Sequence, residues 1–472
     1  MRHRHPSRLL TAAAAVCVLL VVAVAPAAAH GVTTRFDAPV PLWAVSLGAG
    51  LTVVASAALV GRLDATPHLT GRIGVLPPRP AAVGRGIARI GFFVAFVAVL
   101  LHGLVGPRVP TGNFATLFTW SVWLKGVGLV AIVVGSPWAV LSPWRTAYDA
   151  VCRLEGAEIG ARPYPAWLGR WPALVGFLLL VGVAENLTRI PQRPTATAAV
   201  VAAYALVLFA GGLAFGRSWF DHADAFAVLY GLLGRVAPAS VRRDDDGSVA
   251  VVRRYPWEGC TVPAADGAAA AFVVAAIYTV TFDGFAESPA YRGFYADLRA
   301  VVAGDAATGL LLYAAGLLGF LVAFRGVAAL VGRIARRSQR PPATGRDARP
   351  ESDGGSGAPV TALLAPTLVP IAAGYEIAHN AAYVLASAGR LPRLVGADAV
   401  DPLWWLPLPV FWGVQVVCLV GGHVVAVAAA DAVVRRLAPT GRLAAAAHAP
   451  HLGLMVAYTV VSLWVISLPV AA

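Results

Sequence analysis

Residues 361–387 read TALLAPTLVPIAAGYEIAHNAAYVLAS, a mostly apolar stretch that is interrupted past its middle by Glu376 and His379. About 20 apolar residues are enough for a helix to cross the hydrocarbon core of a bilayer, so this stretch predicts a transmembrane helix. Residues three positions apart lie on one face of a helix, which places the Glu376 carboxylate beside the His379 imidazole. Ionisable groups at membrane depth are energetically costly, and their presence there indicates function.

The composition of the whole chain agrees with this interpretation. Of the 472 residues, 58% are hydrophobic and 13% are charged, and the mean hydropathy is +0.71. Such values predict an all-α polytopic membrane protein. Apolar stretches of spanning length predict about ten transmembrane helices after an N-terminal signal peptide, at 41–61, 87–106, 120–141, 171–187, 197–216, 268–286, 307–333, 361–387, 408–431 and 452–470.

The region ahead of these helices, residues 1–29, has the pattern of a secretory signal peptide. A positive start is followed by an apolar stretch from Leu9 to Ala25 and by three small residues that end at Ala29. The alternative is an uncleaved first membrane anchor. Either interpretation places His30 outside the cell.

The mature chain divides into two membrane regions. Residues 30–337 hold the first seven predicted helices, and residues 361–472 hold the last three, with a disordered cytoplasmic linker predicted at 338–360 from its polar, Pro- and Gly-rich composition. Residues 217–267 predict a cytoplasmic interfacial segment, in which an amphipathic helix is followed by short strands around the turn Asp244–Gly247.

Arginines are concentrated in alternate loops, as the positive-inside rule requires of cytoplasmic loops. The loops predicted to be inside are those at 62–89, 145–170, 217–254, 325–349 and 435–442. This pattern predicts a multi-pass protein of the plasma membrane with both mature termini outside. The lipid bilayer thereby accounts for the net charge of +13 without a nucleic-acid partner, and nothing in the sequence identifies a protein partner. The single lysine, Lys125, is interpreted as a consequence of coding bias, and the cysteine spacing excludes a disulfide framework or a CxxC metal site.

The predicted topology places several ionisable residues in the outer half of the membrane, namely His102, Glu185, Asp283, Glu287, Glu376, His379 and His423. Imidazoles and carboxylates are ligands of zinc, manganese and iron. We therefore expect His379 and His423, with Asp283 or Glu185, to hold a divalent metal ion, and His102 is a further candidate ligand. Glu376 or Glu287 is the candidate catalytic base. The alternatives are residues that mark the water interface and structural hydrogen bonds between helices.

His30 suggests a separate metal site. After cleavage at Ala29, its imidazole and the free amine form a chelate suited to copper, the divalent ion with the highest affinity in the series. The alternative is an ordinary flexible chain end.

Several sequence segments resemble a family of polytopic membrane proteins named after fenitrothion hydrolase, a bacterial enzyme that degrades organophosphates. The segments are Ala29-His-Gly, Pro41-Leu-Trp, Gly135 to Thr146, Tyr164 to Ala173 before a span with Glu185, Gly216 to Phe226, Leu232 to Pro238, Asp246-Gly, Thr281-Phe-Asp-Gly284, Ala365 to Ile371 leading to Tyr375 and His379, Gly422-His423 and Leu454 to Thr459. The ionisable residues that the resemblance marks as candidate functional positions are Glu185, Asp221, Asp224, Asp283, His379 and His423. Glu376 departs from the family's pattern.

Three functions are compatible with these observations. The resemblance implies a membrane-embedded hydrolase of apolar, phosphoester-like substrates, in which a metal-bound water would attack the ester. The same polar cluster would serve a transporter of a metal ion or small solute. The third alternative is a scaffold or assembly protein that binds a partner through 217–267, with Asp221, His222 and Asp224 as a solvated face.

Overall fold

The computed structural model describes residues 42–60, 69, 71–286, 288–338, 358–438 and 441–467. The predicted signal peptide, His30, Glu287 and most of the predicted linker therefore lie outside the described residues.

Helices make up most of the described chain. The first seven are α1 (Leu42–Val60), α2 (Pro78–Val105), α3 (Phe114–Val134), α4 (Pro143–Glu155), α5 (Ala166–Glu185), α6 (Pro194–Phe215) and α7 (Arg217–Ala223). The others are α8 (Ala225–Leu233), α9 (Gly267–Ala286), α10 (Pro289–Arg299), α11 (Asp305–Ser338), α12 (Val360–Val395), α13 (Leu408–Leu437) and α14 (Gly441–Ser467).

Eight of the described helices are long and apolar enough to cross a membrane, namely α2, α3, α5, α6, α9, α11, α12 and α13. The predicted fold class, an all-α polytopic membrane protein, is confirmed. Helices α1 and α14 coincide with the first and last predicted spans, so each of the ten predicted positions corresponds to a helix.

The third span is displaced from its predicted position of 120–141. Helix α3 begins at Phe114 and ends at Val134. It ends there because Gly135 adopts a positive φ of 88° and Pro137 follows two residues later. A positive φ breaks the helical backbone, and proline lacks the N–H that would continue the helix.

Hydrogen bonds between helix ends define one end of the bundle, which we call the arginine-rich end. There the Arg435 guanidinium donates to the Val60 carbonyl, which joins the ends of α13 and α1. Backbone bonds from Ala264 to Ala362 and from Arg162 to Ala214 likewise connect the segments before α9 and α5 to α12 and α6. Successive predicted spans thus alternate in direction.

A small sheet lies at the arginine-rich end. It contains β1 (Gly71–Leu76), β2 (Ala239–Arg243) and β3 (Val249–Arg253), in the antiparallel order β1-β3-β2. The strands predicted around the turn that ends at Gly247 are therefore present. Strand β1 was not expected, because the loop between α1 and α2 carries no clear alternating pattern.

Helix α8, which the sequence places on the membrane surface, is instead packed inside the bundle. Val228, Tyr230, Leu232 and Leu233 are buried. They pack among the hydrophobic side chains of α3, α5 and α9. Helix α8 thus lies between the transmembrane helices and packs against them.

Asp224, at the start of α8, is fully buried among tryptophans. One carboxylate oxygen accepts hydrogen bonds from the indoles of Trp138 and Trp144, both at 2.7 Å. The other accepts from the Tyr204 hydroxyl at 3.1 Å and from the Phe226 backbone at 3.0 Å. The expectation that Asp224 belongs to a solvated face is therefore wrong, and we call this arrangement the Asp224 knot.

Helices α12 and α13 approach each other closely at two glycines. A Cβ added at Gly374 would lie 2.4 Å from the Cys418 carbonyl oxygen, and one added at Gly422 would lie 2.5 Å from that of Pro370. Small residues allow such close contacts between membrane helices. This contact fixes α12, the helix that carries Glu376 and His379.

Candidate functional site: a buried polar cluster around Lys125

The only lysine of the chain forms a buried ion pair between two transmembrane helices. Lys125 Nζ on α3 lies 3.2 Å from Glu185 Oε1 on α5, and the two side chains are only 8% and 14% exposed. Charges buried at this depth require partners of opposite charge. Lys125 and Glu185 serve as partners for each other.

Both members of this ion pair lie in π-helical segments. Lys125 belongs to the segment Leu117–Gly126 of α3, and Glu185 ends the segment Leu178–Glu185 of α5. π-Helical geometry is rare and is found frequently at functional sites. Its occurrence in both helices that supply the pair supports a functional role.

Glu376 lies on the buried side of the same region. It is 7% exposed, and its Oε2 accepts a hydrogen bond of 3.0 Å from Asn380 Nδ2, one turn further along α12. The Lys125 ammonium also attracts Glu376 and Asp283 electrostatically. Gly128 borders the Glu376 carboxylate, since a Cβ at that position would lie 3.7 Å from Oε1.

Asp283 and His379 form the more open side of the region. Asp283 Oδ2 on α9 lies 3.5 Å from His379 Nε2 on α12, and their side chains are 30% and 25% exposed. We refer to Lys125, Glu185, Asp283, Glu376 and His379 together as the Lys125 cluster. Its side chains come from α3, α5, α9 and α12.

The Lys125 cluster has more acceptors than donors. Its three carboxylates face one ammonium and one imidazole. Within the described residues, buried Glu185 Oε2 and buried Asn186 Oδ1 have no hydrogen-bond partner. An unpaired buried polar atom costs about 1–3 kcal/mol, so the arrangement favours a further proton, a water molecule or a cation.

A small cavity of about 30 Å³ adjoins the cluster. It is lined by Lys125 and Glu376 together with apolar side chains, including Val181, Leu233 and Ala372. This volume is enough for roughly one or two water molecules. The apolar side chains separate the cluster from the arginine-rich end.

Two of the predicted metal ligands lie outside the cluster. His102, at the end of α2, accepts a hydrogen bond from the Phe114 backbone at 3.1 Å and thereby fixes the connection to α3. His423 is fully buried on α13; its Nδ1 lies 2.8 Å from the Leu419 carbonyl oxygen, and its Nε2 has no partner among the described residues. Neither residue joins the Asp283–His379 pair.

The predicted metal set is therefore not assembled in the described part of the chain. No group of three or more histidine, cysteine, aspartate or glutamate side chains there is arranged to hold a metal ion. Of the carboxylate oxygens in the cluster, Glu185 Oε1 already pairs with the Lys125 ammonium, at 3.2 Å. A metal ion held by these residues therefore stays a prediction, and we derive no step from one.

The sequence predicted Glu185, Asp283, Glu376 and His379 in the outer half of the membrane, and the structure brings these four side chains into one region; the prediction missed Lys125. A lone lysine inside a predicted span is itself the signal that would have identified this residue, since lysine is costly at membrane depth.

Comparisons with known proteins found no relative of this chain. No family model, no curated protein and no solved structure matches the chain.

Proposed function

We propose that this protein is a proton-coupled membrane transporter for a small cation, and that the Lys125 cluster is the shared binding site for the proton and the cation. The observation that carries the proposal is the excess of buried acceptors over donors in the cluster. Intramembrane carboxylates and histidines are the usual components of proton relays in transporters.

The partly exposed Asp283–His379 pair is the entry to this site. His379 Nε2 and Asp283 Oδ2 are near enough to share a proton, and both side chains have access to the surface. From there the proton reaches the buried carboxylates of Glu185 and Glu376. Lys125 remains charged and holds those carboxylates together, so that one proton or one cation balances the remaining negative charge.

A cation that donates hydrogen bonds suits the unpaired acceptors. An ammonium group or a hydrated monovalent ion supplies donors to Glu185 Oε2 and Asn186 Oδ1. Binding of that cation would release the proton, because two positive charges added to the same carboxylates repel each other. The cation and the proton thus compete for one site.

Proteoliposomes that contain a pH-sensitive dye test the proposal. With the membrane potential clamped, external sodium, potassium and ethylammonium are added in turn, and the internal pH is recorded. We expect at least one of them to change the internal pH with the wild-type protein. We expect the change to disappear in Glu376→Gln, which keeps the side-chain volume but cannot ionise.

Glu155→Gln is the matched control, because Glu155 is exposed at the end of α4, far along the chain from the cluster residues. It should behave as the wild type does. If none of the cations changes the internal pH, or if Glu376→Gln responds as the wild type, the transport proposal is rejected.

A second candidate function, the hydrolase predicted from the family resemblance, is favoured by the Asp283–His379 pair alone. A carboxylate beside an imidazole orients the ring to act as a general base, which typically contributes about 10²–10⁴-fold to a rate. Hydrolysis of a 4-nitrophenyl phosphotriester tests it. The hydrolase requires activity that falls about 100-fold or more in His379→Ala. Measurement with and without a chelator distinguishes acid–base catalysis from metal-dependent catalysis.

A further inference from the structure

A separate cavity lies at the arginine-rich end, away from the Lys125 cluster. Its volume is about 580 Å³, and it lies between the start of α2, the end of α3, α8 and the sheet. Arg85, Arg235 and Arg254 line it together with the hydroxyl-bearing residues Ser136 and Ser240. We call this cavity the arginine groove.

Two of the arginines are held by backbone carbonyl groups. Arg254 Nε donates to the Ala237 carbonyl at 2.8 Å, and Arg235 donates to the Val262 carbonyl at 2.6 Å. Arg85 donates no side-chain hydrogen bond to a described residue. Among the described residues, no carboxylate oxygen is close enough to form an ion pair with any of these three guanidinium groups.

The lining of the groove is therefore positively charged, because it contains three arginines and no acidic residue, although Glu258 attracts Arg254 electrostatically. Burial lowers the pKa of Arg235, and the nearby Arg254 adds to the effect. Burial also lowers the pKa of Arg254. Two partly buried cations that repel each other are stabilised when an anion binds between them.

The chemistry of the groove selects one class of anion. Guanidinium groups present a planar fork of donors that matches phosphate oxygens, and serine hydroxyls add neutral donors. The volume lies within the range of about 300–1,000 Å³ that is typical of small-molecule sites. We propose that the arginine groove binds a phosphate ester.

The surroundings of the groove favour a phospholipid headgroup as the source of that phosphate. Val83 and Ile87 on α2 are 61% and 69% exposed, and they adjoin groove residues on the same helix. An apolar surface beside a phosphate site provides contacts for acyl chains. A soluble phosphate would use the arginines without this surface.

Titrations of the purified protein in detergent distinguish these sources. Dioleoyl-phosphatidylglycerol, dioleoyl-phosphatidylcholine and inorganic phosphate are each added, and the thermal unfolding midpoint is recorded from tryptophan fluorescence. We expect phosphatidylglycerol to raise the midpoint and phosphatidylcholine to leave it unchanged. An equal rise with inorganic phosphate alone supports the phosphate site and identifies a soluble ligand.

Substitutions at two glycines provide a matched pair of variants. Gly84 lines the groove, whereas Gly86 does not, and a Cβ at either position meets no atom within 4 Å. Gly84→Phe should fill the groove and weaken the apparent affinity for phosphatidylglycerol, whereas Gly86→Phe should leave it unchanged. Arg85→Gln should weaken it about tenfold or more, through loss of a charge-assisted hydrogen bond.

The proposal is overturned if neither phosphatidylglycerol nor inorganic phosphate raises the midpoint of the wild-type protein. It is also overturned if Gly84→Phe and Gly86→Phe bind phosphatidylglycerol equally well. Because Gly84 makes no side-chain contact of its own, a result with this pair does not depend on breaking the bonds that fix Arg235 and Arg254.

Discussion

The bundle contains two buried carboxylate sites, and they differ in the number of donors around them. Asp224 receives four hydrogen bonds, two of them from indole N–H groups. Glu185 has one charged partner for one oxygen and no partner among the described residues for the other. The Asp224 carboxylate therefore holds helices together, whereas one oxygen of Glu185 can still accept a proton or a hydrogen bond from a ligand.

The sources of the donors explain the difference. At Asp224, the donors are neutral groups from α6, α8 and the segment around Trp138 and Trp144, and aromatic rings exclude water around them. In the Lys125 cluster, the partner of each carboxylate is itself ionisable or polar. A change of protonation in the Lys125 cluster therefore alters every pairwise interaction in it. The donors to Asp224 are neutral groups and exchange no proton with it.

The largest effect on stability is expected when the Asp224 knot is broken. Asp224→Ala leaves two indole N–H groups and the Tyr204 hydroxyl without their buried acceptor. Each such loss costs about 1–3 kcal/mol, so the free energy of unfolding should fall by roughly 3–9 kcal/mol. Equilibrium unfolding in detergent, followed by tryptophan fluorescence, measures the change.

Asp221→Ala is the matched control, because Asp221 lies three residues earlier and its side chain is 60% exposed. Its ion pair with Arg145 is at the surface, where such pairs contribute less than about 1 kcal/mol. Similar losses in both variants would contradict the structural role of Asp224.

The next largest effect is expected at the Lys125–Glu185 pair. Lys125→Met and Glu185→Gln should each lower the free energy of unfolding by about 3–5 kcal/mol, because each leaves an unpaired buried partner. The double variant should lose less than the sum, since it removes both charges together. A double-mutant cycle of unfolding free energies measures this coupling.

The exposed pair Arg299–Asp305 serves as the reference for that cycle, because its side chains are 44% and 80% exposed. The coupling there should be less than about 1 kcal/mol. Additive losses at Lys125 and Glu185 would mean that the two groups do not stabilise each other.

The comparison also shows where sequence reasoning succeeds. Hydropathy alone predicted a helix at each of the eight described helices that are long and apolar enough to span a membrane, because an apolar stretch of that length has few alternatives there. Helix direction then placed Glu185, Asp283, Glu376 and His379 at one end, where the structure brings them together.

Sequence reasoning failed where contacts depend on residues far apart in the chain. The two indole donors to Asp224 come from positions 80 and 86 residues earlier, and no local pattern connects them to it. His102 and His423 were predicted at a similar depth, but their side chains contact other partners. Depth is set by position along a helix, whereas the direction of a side chain depends on packing.

A smaller effect is expected at Asn380, the only side-chain donor to Glu376 among the described residues. Asn380→Ala should lower the free energy of unfolding by about 2 kcal/mol, which is typical for a hydrogen bond to a charged group. The loss should be smaller in a Glu376→Gln background, because a neutral amide is less dependent on that donor. Equal losses in both backgrounds would show that Glu376 is already neutral in the native protein.

The smallest effect on stability, combined with a large effect on transport, is expected at the open side of the cluster. Asp283→Asn should change the free energy of unfolding by less than about 1 kcal/mol, because the Asp283–His379 pair is long, at 3.5 Å, and partly exposed. Proton exchange in proteoliposomes should nevertheless fall as far as it does in Glu376→Gln. Asp297→Asn, on the exposed surface of α10 near the same end, should change neither quantity. If Asp283→Asn destabilises the protein as strongly as Lys125→Met and leaves proton exchange intact, the Lys125 cluster is a second structural site of the same kind as the Asp224 knot.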